Sequence, residues 1–246
     1  MNNRRKFLLQ GSMATTALLI AKPFETLAKA MAPVSGFTIN NDKVIFAHTG
    51  NHLGNNPDIT LEYVSALKRK TNNLVLVHAG KTNDAIKSNK AFDVMMDTQN
   101  PLSLTTNDYK IIYKGNIKIG LITVNESNTE LFQSVNQTST WLKKEKACHL
   151  VVCLSQLGYK QKNNIDDITL AENTTDLDII IGGHASNYCK APLTVKNKNM
   201  GEVIINHAAD NELALRKIEI EFTVSGKKKH IAFTRSVPVN TIAKTS

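Results

Sequence analysis

Five of the seven histidines in this 246-residue chain lie in or just after apolar stretches that are typical of buried strands. They are His48, His52, His78, His184 and His207. Because ligand sites of α/β sheets form beyond the carboxyl ends of the strands, these imidazoles could converge on a metal ion. Taken singly, each is more simply explained as a hydrogen-bonded polar side chain. Taken together, they justify the hypothesis of a metal site.

The stretch "DLDIIIGGHASN" (176–187) contains the histidine whose role is most informative, His184. Ile179 to Ile181 predict a buried strand, and the glycine pair allows the backbone to turn where the strand ends. His184 then follows at once. It is either a metal ligand at the mouth of a sheet or a polar residue in a turn.

Strands and helices alternate along most of the chain and give way to strands at the end. Strands are predicted at 43–49, 73–80, 149–158 and 179–181, helices at 59–71, 129–147 and around 167–173, and a hairpin at 108–124 that turns at Gly115-Asn116. Three later segments, 201–210, 213–224 and 229–239, alternate like antiparallel strands. The pattern predicts an α/β fold and one mature domain, 31–246.

The amino terminus reads as an export signal of twin-arginine type, residues 1–30. Arg4 and Arg5 precede Lys6-Phe7-Leu8, a modest apolar stretch follows, and Ala28-Lys29-Ala30 ends it, which predicts cleavage after Ala30. An ordinary Sec signal is the alternative. Either route predicts a bacterial, periplasmic protein. No segment is long and apolar enough to predict a stable membrane span.

The net charge of +9 includes several basic residues of this signal and is otherwise spread along the chain. No basic cluster is interleaved with aromatic residues, so no nucleic-acid partner is predicted. The densest basic run, "GKKKH" (226–230), is interpreted as a solvated hairpin turn.

The three cysteines carry little functional signal. Cys148, Cys153 and Cys189 are odd in number, and Cys153 lies in an apolar run where a buried, inert thiol is expected. No CxxC pair indicates a structural zinc site.

Several motifs together resemble the calcineurin-like metallophosphoesterases, specifically their 5′-nucleotidase branch. "HLVVCLSQLGYKQ" and "DLDIIIGGHASN" resemble the family's "VxLSHLG" and "DVIIGGHSHT" blocks. Other matching blocks follow in the right order at 44–55, 74–81, 90–103, 115–127 and 200–222. The resemblance covers about 43–236.

This resemblance implies a four-layer α/β/β/α sandwich with two divalent metal ions at one edge of the sheets. Two metals clamp the oxygens of a phosphate ester and lower the pKa of a bridging water. A shared aspartate offsets the repulsion between two cations that lie about 3.5–4 Å apart.

The chain departs from that pattern at nearly every position that performs chemistry. The substituted positions are Asn51 and Leu53 in the first block, Lys81 for the bridging aspartate, Gln99 and Asn100 for the asparagine and the catalytic histidine, Gln156 for the histidine of "SHLG", and Ser186 for the last ligand. His184 is the only family ligand that is retained.

These replacements predict a site that repels cations. An ammonium at Lys81 would stand where two dications should bind, whereas it could hold a phosphate or a carboxylate. Asn51, Gln99 and Gln156 would keep such an anion site polar. With Asn100 at the catalytic position, no catalytic residue and no cofactor are predicted.

We therefore expect an exported, catalytically silent family member. Its partner would be a separate chain that carries the nucleotide-binding C-terminal domain of such enzymes, which this chain lacks, or an active paralogue. The alternative is an active phosphomonoesterase or 5′-nucleotidase with two divalent ions such as zinc or manganese. That enzyme would use a site rebuilt from the weaker candidates His48, His78 and His207 together with His184 and Asp97. A third hypothesis is that the protein is an unrelated binding module of the cell envelope.

Overall fold

The computed structural model describes residues 43–50, 57–80, 82, 84–96, 109–124, 130–161, 164–184, 189, 191–208 and 215–234. All of them belong to one compact unit, Thr38–Thr241. A second unit, Met1–Phe37 with Ile242–Ser246, lies outside the described residues, as does the predicted export signal.

Four helices and eleven strands make up the described part of the chain. The helices are α1 (Pro57–Lys70), α2 (Asp84–Ser88), α3 (Leu131–Lys144) and α4 (Asp167–Asn173). The strands are β1 (Lys43–Thr49), β2 (Leu74–His78), β3 (Val94–Met95), β4 (Tyr109–Lys114), β5 (Ile117–Val124), β6 (Leu150–Ser155), β7 (Ile179–Gly182), β8 (Leu193–Lys196), β9 (Glu202–His207), β10 (Arg216–Phe222) and β11 (Lys228–Thr234).

The strands form two mixed sheets. In the first sheet the order is β11-β10-β1-β2-β3, in which β1, β2 and β3 are parallel and β10 runs antiparallel to β1. In the second sheet the order is β4-β5-β6-β7-β9-β8, with four central parallel strands and antiparallel β4 and β8 at its edges. The parallel strands therefore set a common direction within each sheet.

The two sheets pack face to face over the main core. Val44 and Phe46 of β1 meet Ile179 and Ile181 of β7 in one buried cluster. A second cluster joins the other face of the second sheet to α3 and α4. The outer face of the first sheet is buried beside α1, which contributes Leu61, Val64 and Leu67. The predicted α/β sandwich with helices on both outer faces is confirmed.

Most element predictions are confirmed, but the carboxyl-terminal strands differ from expectation. The β4–β5 hairpin turns at Gly115-Asn116, and α4 spans the predicted residues. The expectation that β9 lies among antiparallel strands is wrong in part, because β9 pairs in parallel with β7. Its sequence "EVIINH" is buried at five of six positions, which is typical of a central strand in a parallel sheet. The prediction also missed the short strands β3 and β8.

All three cysteines are free thiols, whereas their odd number alone required only one of them to be unpaired. Cys153 is fully buried, and this burial raises the pKa of its thiol well above the usual value. It therefore stays protonated and inert. Among the described residues, no helix is long and apolar enough to cross a membrane.

Candidate site at the carboxyl ends of the strands

The two sheets come into close contact where their parallel strands end. A side chain at Gly183, just after β7, would lie 1.9 Å from the carbonyl oxygen of Ala79, just after β2. A side chain at Gly50, after β1, would lie 2.6 Å from Cβ of Ala208, after β9. Glycine is therefore required for the backbones to meet. We call this edge of the sandwich the carboxyl end.

His48 is buried between the sheets at this end. It follows Val44 and Phe46 on the inward face of β1, because side chains alternate along a strand. Neither ring nitrogen has a hydrogen-bond partner among the described residues. Burial, with smaller contributions from the nearby charges of Arg216 and His207, lowers its pKa from 6.5 to about 3. The imidazole is therefore neutral at neutral pH.

His207 lies on the helix side of the second sheet within a buried polar chain. The Ser155 hydroxyl donates to Oδ1 of Asp167, the first residue of α4. Oδ2 of Asp167 is 2.9 Å from Nε2 of His207, and all three residues are fully buried. The Asp167 carboxylate lies between Ser155 and His207. In a serine nucleophile the histidine would contact the hydroxyl directly, so this arrangement is not that of a catalytic serine. These contacts among Ser155, Asp167 and His207 join the ends of β6 and β9 to α4.

Sequence reasoning predicted neither Asp167 nor Ser155 as a site residue. The local signal was the pair Asp166-Asp167 at a helix start. Asp166 caps α4 by accepting from the amide of Thr169 at 2.7 Å. Nothing local indicates that the second aspartate faces His207, since that contact depends on the packing of α4 against the sheet.

His78 points away from the other histidines. Val75, Val77 and Ala79 of this segment face the inter-sheet core, so His78 lies on the opposite, outer face. Its Nδ1 is 2.7 Å from the hydroxyl of Thr49, and its ring meets the edge of Phe92 at 5.8 Å between centroids. His78 is therefore separated from His48 by the sheet itself.

Gln156 joins the two sheets across the carboxyl end. It follows β6, its backbone amide donates to the carbonyl of Val124, and its side-chain amide donates to the carbonyl of Ala79. His184 follows Gly183 beyond the end of β7, as the sequence predicted, and is partly exposed. The structure thus places His48, Gln156, His184 and His207 at one end of the sandwich.

The remaining predicted site residues lie outside the described residues. They are Asn51, His52, Lys81, Gln99, Asn100, the positions Leu53 and Ser186, the alternative ligand Asp97, and the signal residues Arg4, Arg5 and Ala30.

The described side chains do not fit a two-metal centre. Among them, no three histidine, cysteine, aspartate or glutamate residues come together as a metal site. Asp167, the buried carboxylate nearest to the histidines, is already bonded to Ser155 and faces His207. His78 is turned away, and the side-chain amide of Gln156 is bonded to the backbone. The described residues alone therefore do not supply the ligand set of a two-metal centre.

Comparisons with known proteins identify the fold through structure rather than through sequence. No protein-family model matches the chain, and no curated protein sequence matches it. A 5′-nucleotidase precursor from Thermus thermophilus superposes with a TM-score of 0.58 at 13% identity, over 81% of this chain and 55% of that one. The NAD nucleotidase NadN of Haemophilus influenzae superposes with a TM-score of 0.57 at 14% identity, over 80% and 55%.

The chain thus spans about half the length of both solved structures. The chain therefore has the α/β fold of the 5′-nucleotidase-type metallophosphoesterases.

Proposed function

We propose that this chain is an exported protein with the 5′-nucleotidase-type fold that no longer hydrolyses phosphate esters. The observation that carries the proposal is the side-chain amide of Gln156, which donates to the carbonyl of Ala79. This position corresponds to a histidine in the family motif "SHLG". The residue here ties the two sheets together instead of presenting an imidazole to a metal.

The charge of the site supports the same proposal. In the sequence Lys81 comes three residues after β2, and Ala79, which follows that strand, meets Gly183 and Gln156. Its ammonium would disfavour two dications by direct repulsion and would favour a phosphate or a carboxylate. We therefore propose that Lys81, together with Asn51, Gln99 and Gln156, holds an anion where the resemblance predicts metals.

The proposed role of such a chain is that of a partner. In the two solved structures, the matching fold is joined to nearly as much chain again. We propose that this protein acts beside an active relative, or beside a separate chain that resembles the part of the solved structures not matched here. Co-purification from the periplasm with a tagged copy, compared with a Lys81→Asp copy, would identify that partner.

The competing function is an active phosphomonoesterase with a rebuilt site. His48 favours it, because a neutral, buried imidazole with two nitrogens unbonded among the described residues is chemically competent to bind a metal. The residues His184 and Asp97 would have to join it.

Hydrolysis assays separate the two functions. The purified protein should release no more phosphate from AMP or p-nitrophenyl phosphate than buffer does, with or without Mn²⁺ or Zn²⁺. Lys81→Asp is the matched variant, and metal binding or turnover gained by it would support the role assigned to Lys81. Turnover by the wild type that His184→Ala abolishes would overturn the proposal.

A further inference from the structure

Three hairpin turns lie at the end of the sandwich opposite the candidate site. They are the β4–β5 turn, the β8–β9 turn and the β10–β11 turn, and each lies where a parallel strand of its sheet begins. The turns of the two sheets also belong to the same end. A side chain at Gly226 in the β10–β11 turn would lie 2.6 Å from the ring of His149, which directly precedes β6. We call this surface the amino end.

Each of these hairpins exposes one large apolar or aromatic side chain. Tyr113 is 64% exposed, Met200 is 71% exposed and Val224 is 100% exposed. Among the described residues these are three of the four exposed large hydrophobic side chains, and the fourth is Phe233 in β11, at 40%. Single exposed apolar residues are ordinary, but three at the turns of one end of a molecule form a pattern.

Met200 is also placed at a conformational cost. Its φ is 61°, in the left-handed region that glycine and asparagine occupy most readily. A methionine there packs against little, since most of its side chain is in solvent. Contact of the Met200 side chain with another surface would explain why a large apolar residue occupies this position.

The same end carries excess positive charge. Asp178 is shared by Lys143 and Lys228, each at 2.6 Å. Asp93 is likewise shared by Lys68 and Lys114. Each of these two carboxylates therefore faces two ammonium groups, so each cluster keeps a net positive charge.

Further basic residues surround the three turns. They are Arg69 and Lys70 at the end of α1, Lys144 at the end of α3, Lys118 in β5, Lys198 in the β8–β9 turn, and Lys227 and Lys229 in the β10–β11 hairpin. Glu145, Glu172, Asp176, Glu202 and Glu221 at the same end offset part of this charge. The Lys118 ammonium lies 5.8 Å from the centre of the Tyr113 ring, which keeps the charge beside an aromatic tip.

We propose that the amino end docks on the surface of an anionic phospholipid membrane. Tyr113, Met200 and Val224 would enter the interfacial layer, and the surrounding lysines would contact lipid phosphates. A bilayer fits these features better than an acidic protein, because separate apolar tips on three loops need no matching pocket in a fluid surface. The carboxyl end, with its candidate anion site, would then face away from the membrane.

Vesicle partitioning tests this surface. The full chain is mixed with vesicles of phosphatidylcholine containing about 30% phosphatidylglycerol and, separately, with pure phosphatidylcholine vesicles. The wild type should partition onto the anionic vesicles and release as salt is raised. Because residues 1–30 are themselves basic and partly apolar, the comparison between variants carries the result.

Two variants address the charge and the tips separately. Lys227→Glu with Lys229→Glu should weaken partitioning at least about tenfold, since each surface lysine contributes a several-fold gain in binding to anionic lipid. Met200→Asn with Val224→Asn should also weaken it, by about tenfold, at unchanged net charge. The matched control is Lys87→Glu with Lys160→Glu, which makes the same charge change away from the amino end and should bind as the wild type does apart from a small long-range effect.

Three outcomes would overturn the proposal. One is wild-type protein that stays free in the presence of anionic vesicles, and another is an equal loss in the control variant. The third outcome combines two results. The protein binds poly-glutamate in a way that depends on Lys227 and Lys229, and its vesicle binding is unchanged by the Met200 and Val224 substitutions. This combination would assign the surface to an acidic protein. Circular dichroism spectra should match among all variants, since every substituted residue is exposed.

Discussion

The two ends of this sandwich differ in how the sheets meet and in which side chains they bury or expose. At the carboxyl end, a side chain at Gly50 or Gly183 would collide with the other sheet, and His48 is buried with no hydrogen-bond partner among the described residues. At the amino end, the carboxylates Asp178 and Asp93 are each paired with two lysines, and the turns expose apolar side chains. This contrast is consistent with our proposal that the fold keeps the geometry of a ligand-binding edge while the groups that would bind a metal are replaced.

The strongest test of this contrast is acidification, because it charges His48 between the sheets. Its folded pKa of about 3 lies below the usual 6.5, so the unfolded chain binds this proton more readily than the folded one. The stabilisation is present above pH 6.5 and is lost as the pH falls towards 3, by up to about 5 kcal/mol. Urea unfolding at a series of pH values measures the loss.

A leucine at position 48 should remove this part of the pH dependence. His48→Leu should lose less stability between about pH 7 and pH 5 than the wild type does, whereas His230→Leu, at an exposed position in β11, should follow the wild type. Parallel pH profiles for the wild type and His48→Leu would show that His48 is not the buried neutral group described.

The next largest effect concerns the contact between the sheets. Gly183→Ala places a methyl group 1.9 Å from the carbonyl oxygen of Ala79, and backbone on both sides must move. We expect a loss of about 3 kcal/mol in the free energy of unfolding. Gly201→Ala is the control, since the added atom there meets the Asn197 side chain at 3.0 Å and should cost less. A smaller loss for Gly183→Ala than for Gly201→Ala would remove the argument for a close contact.

A smaller effect is expected at the amino end. Asp178→Asn removes the charge that Lys143 and Lys228 share, while the amide oxygen can still accept from the backbone amide of Val151. Because Asp178 is buried, we expect a loss of about 2 kcal/mol. Glu202→Gln breaks the exposed pair with Lys196 and should change stability by less than about 1 kcal/mol. Equal effects would mean that burial does not strengthen the Asp178 cluster.

The sequence predicted the fold well because its motifs fall at strand ends. The run "DIIIGGH" identified a buried strand, a required glycine turn and the place of His184, all of which depend on local backbone preferences. The order of the motif blocks then supplied the arrangement of the two sheets. Such features survive substitution of the reactive side chains, since glycine contacts and apolar strands are needed for packing alone.

The side-chain partners could not be predicted in the same way. In "LVLVHAG" both faces of the strand are apolar, so no alternation showed that His78 points away from His48. The chain from Ser155 through Asp167 to His207 joins three elements that are distant in sequence. Such contacts exist only after the sheets and α4 have packed.

Equilibrium binding of Mn²⁺ to the purified protein tests the central claim most directly. We expect no stoichiometric binding by the wild type, because we propose that the Lys81 ammonium replaces the shared carboxylate and because no three ligands converge among the described residues. Lys81→Asp should bind Mn²⁺ more tightly than the wild type does. Two equivalents of Mn²⁺ bound by the wild type, with binding lost in His184→Ala, would contradict the account.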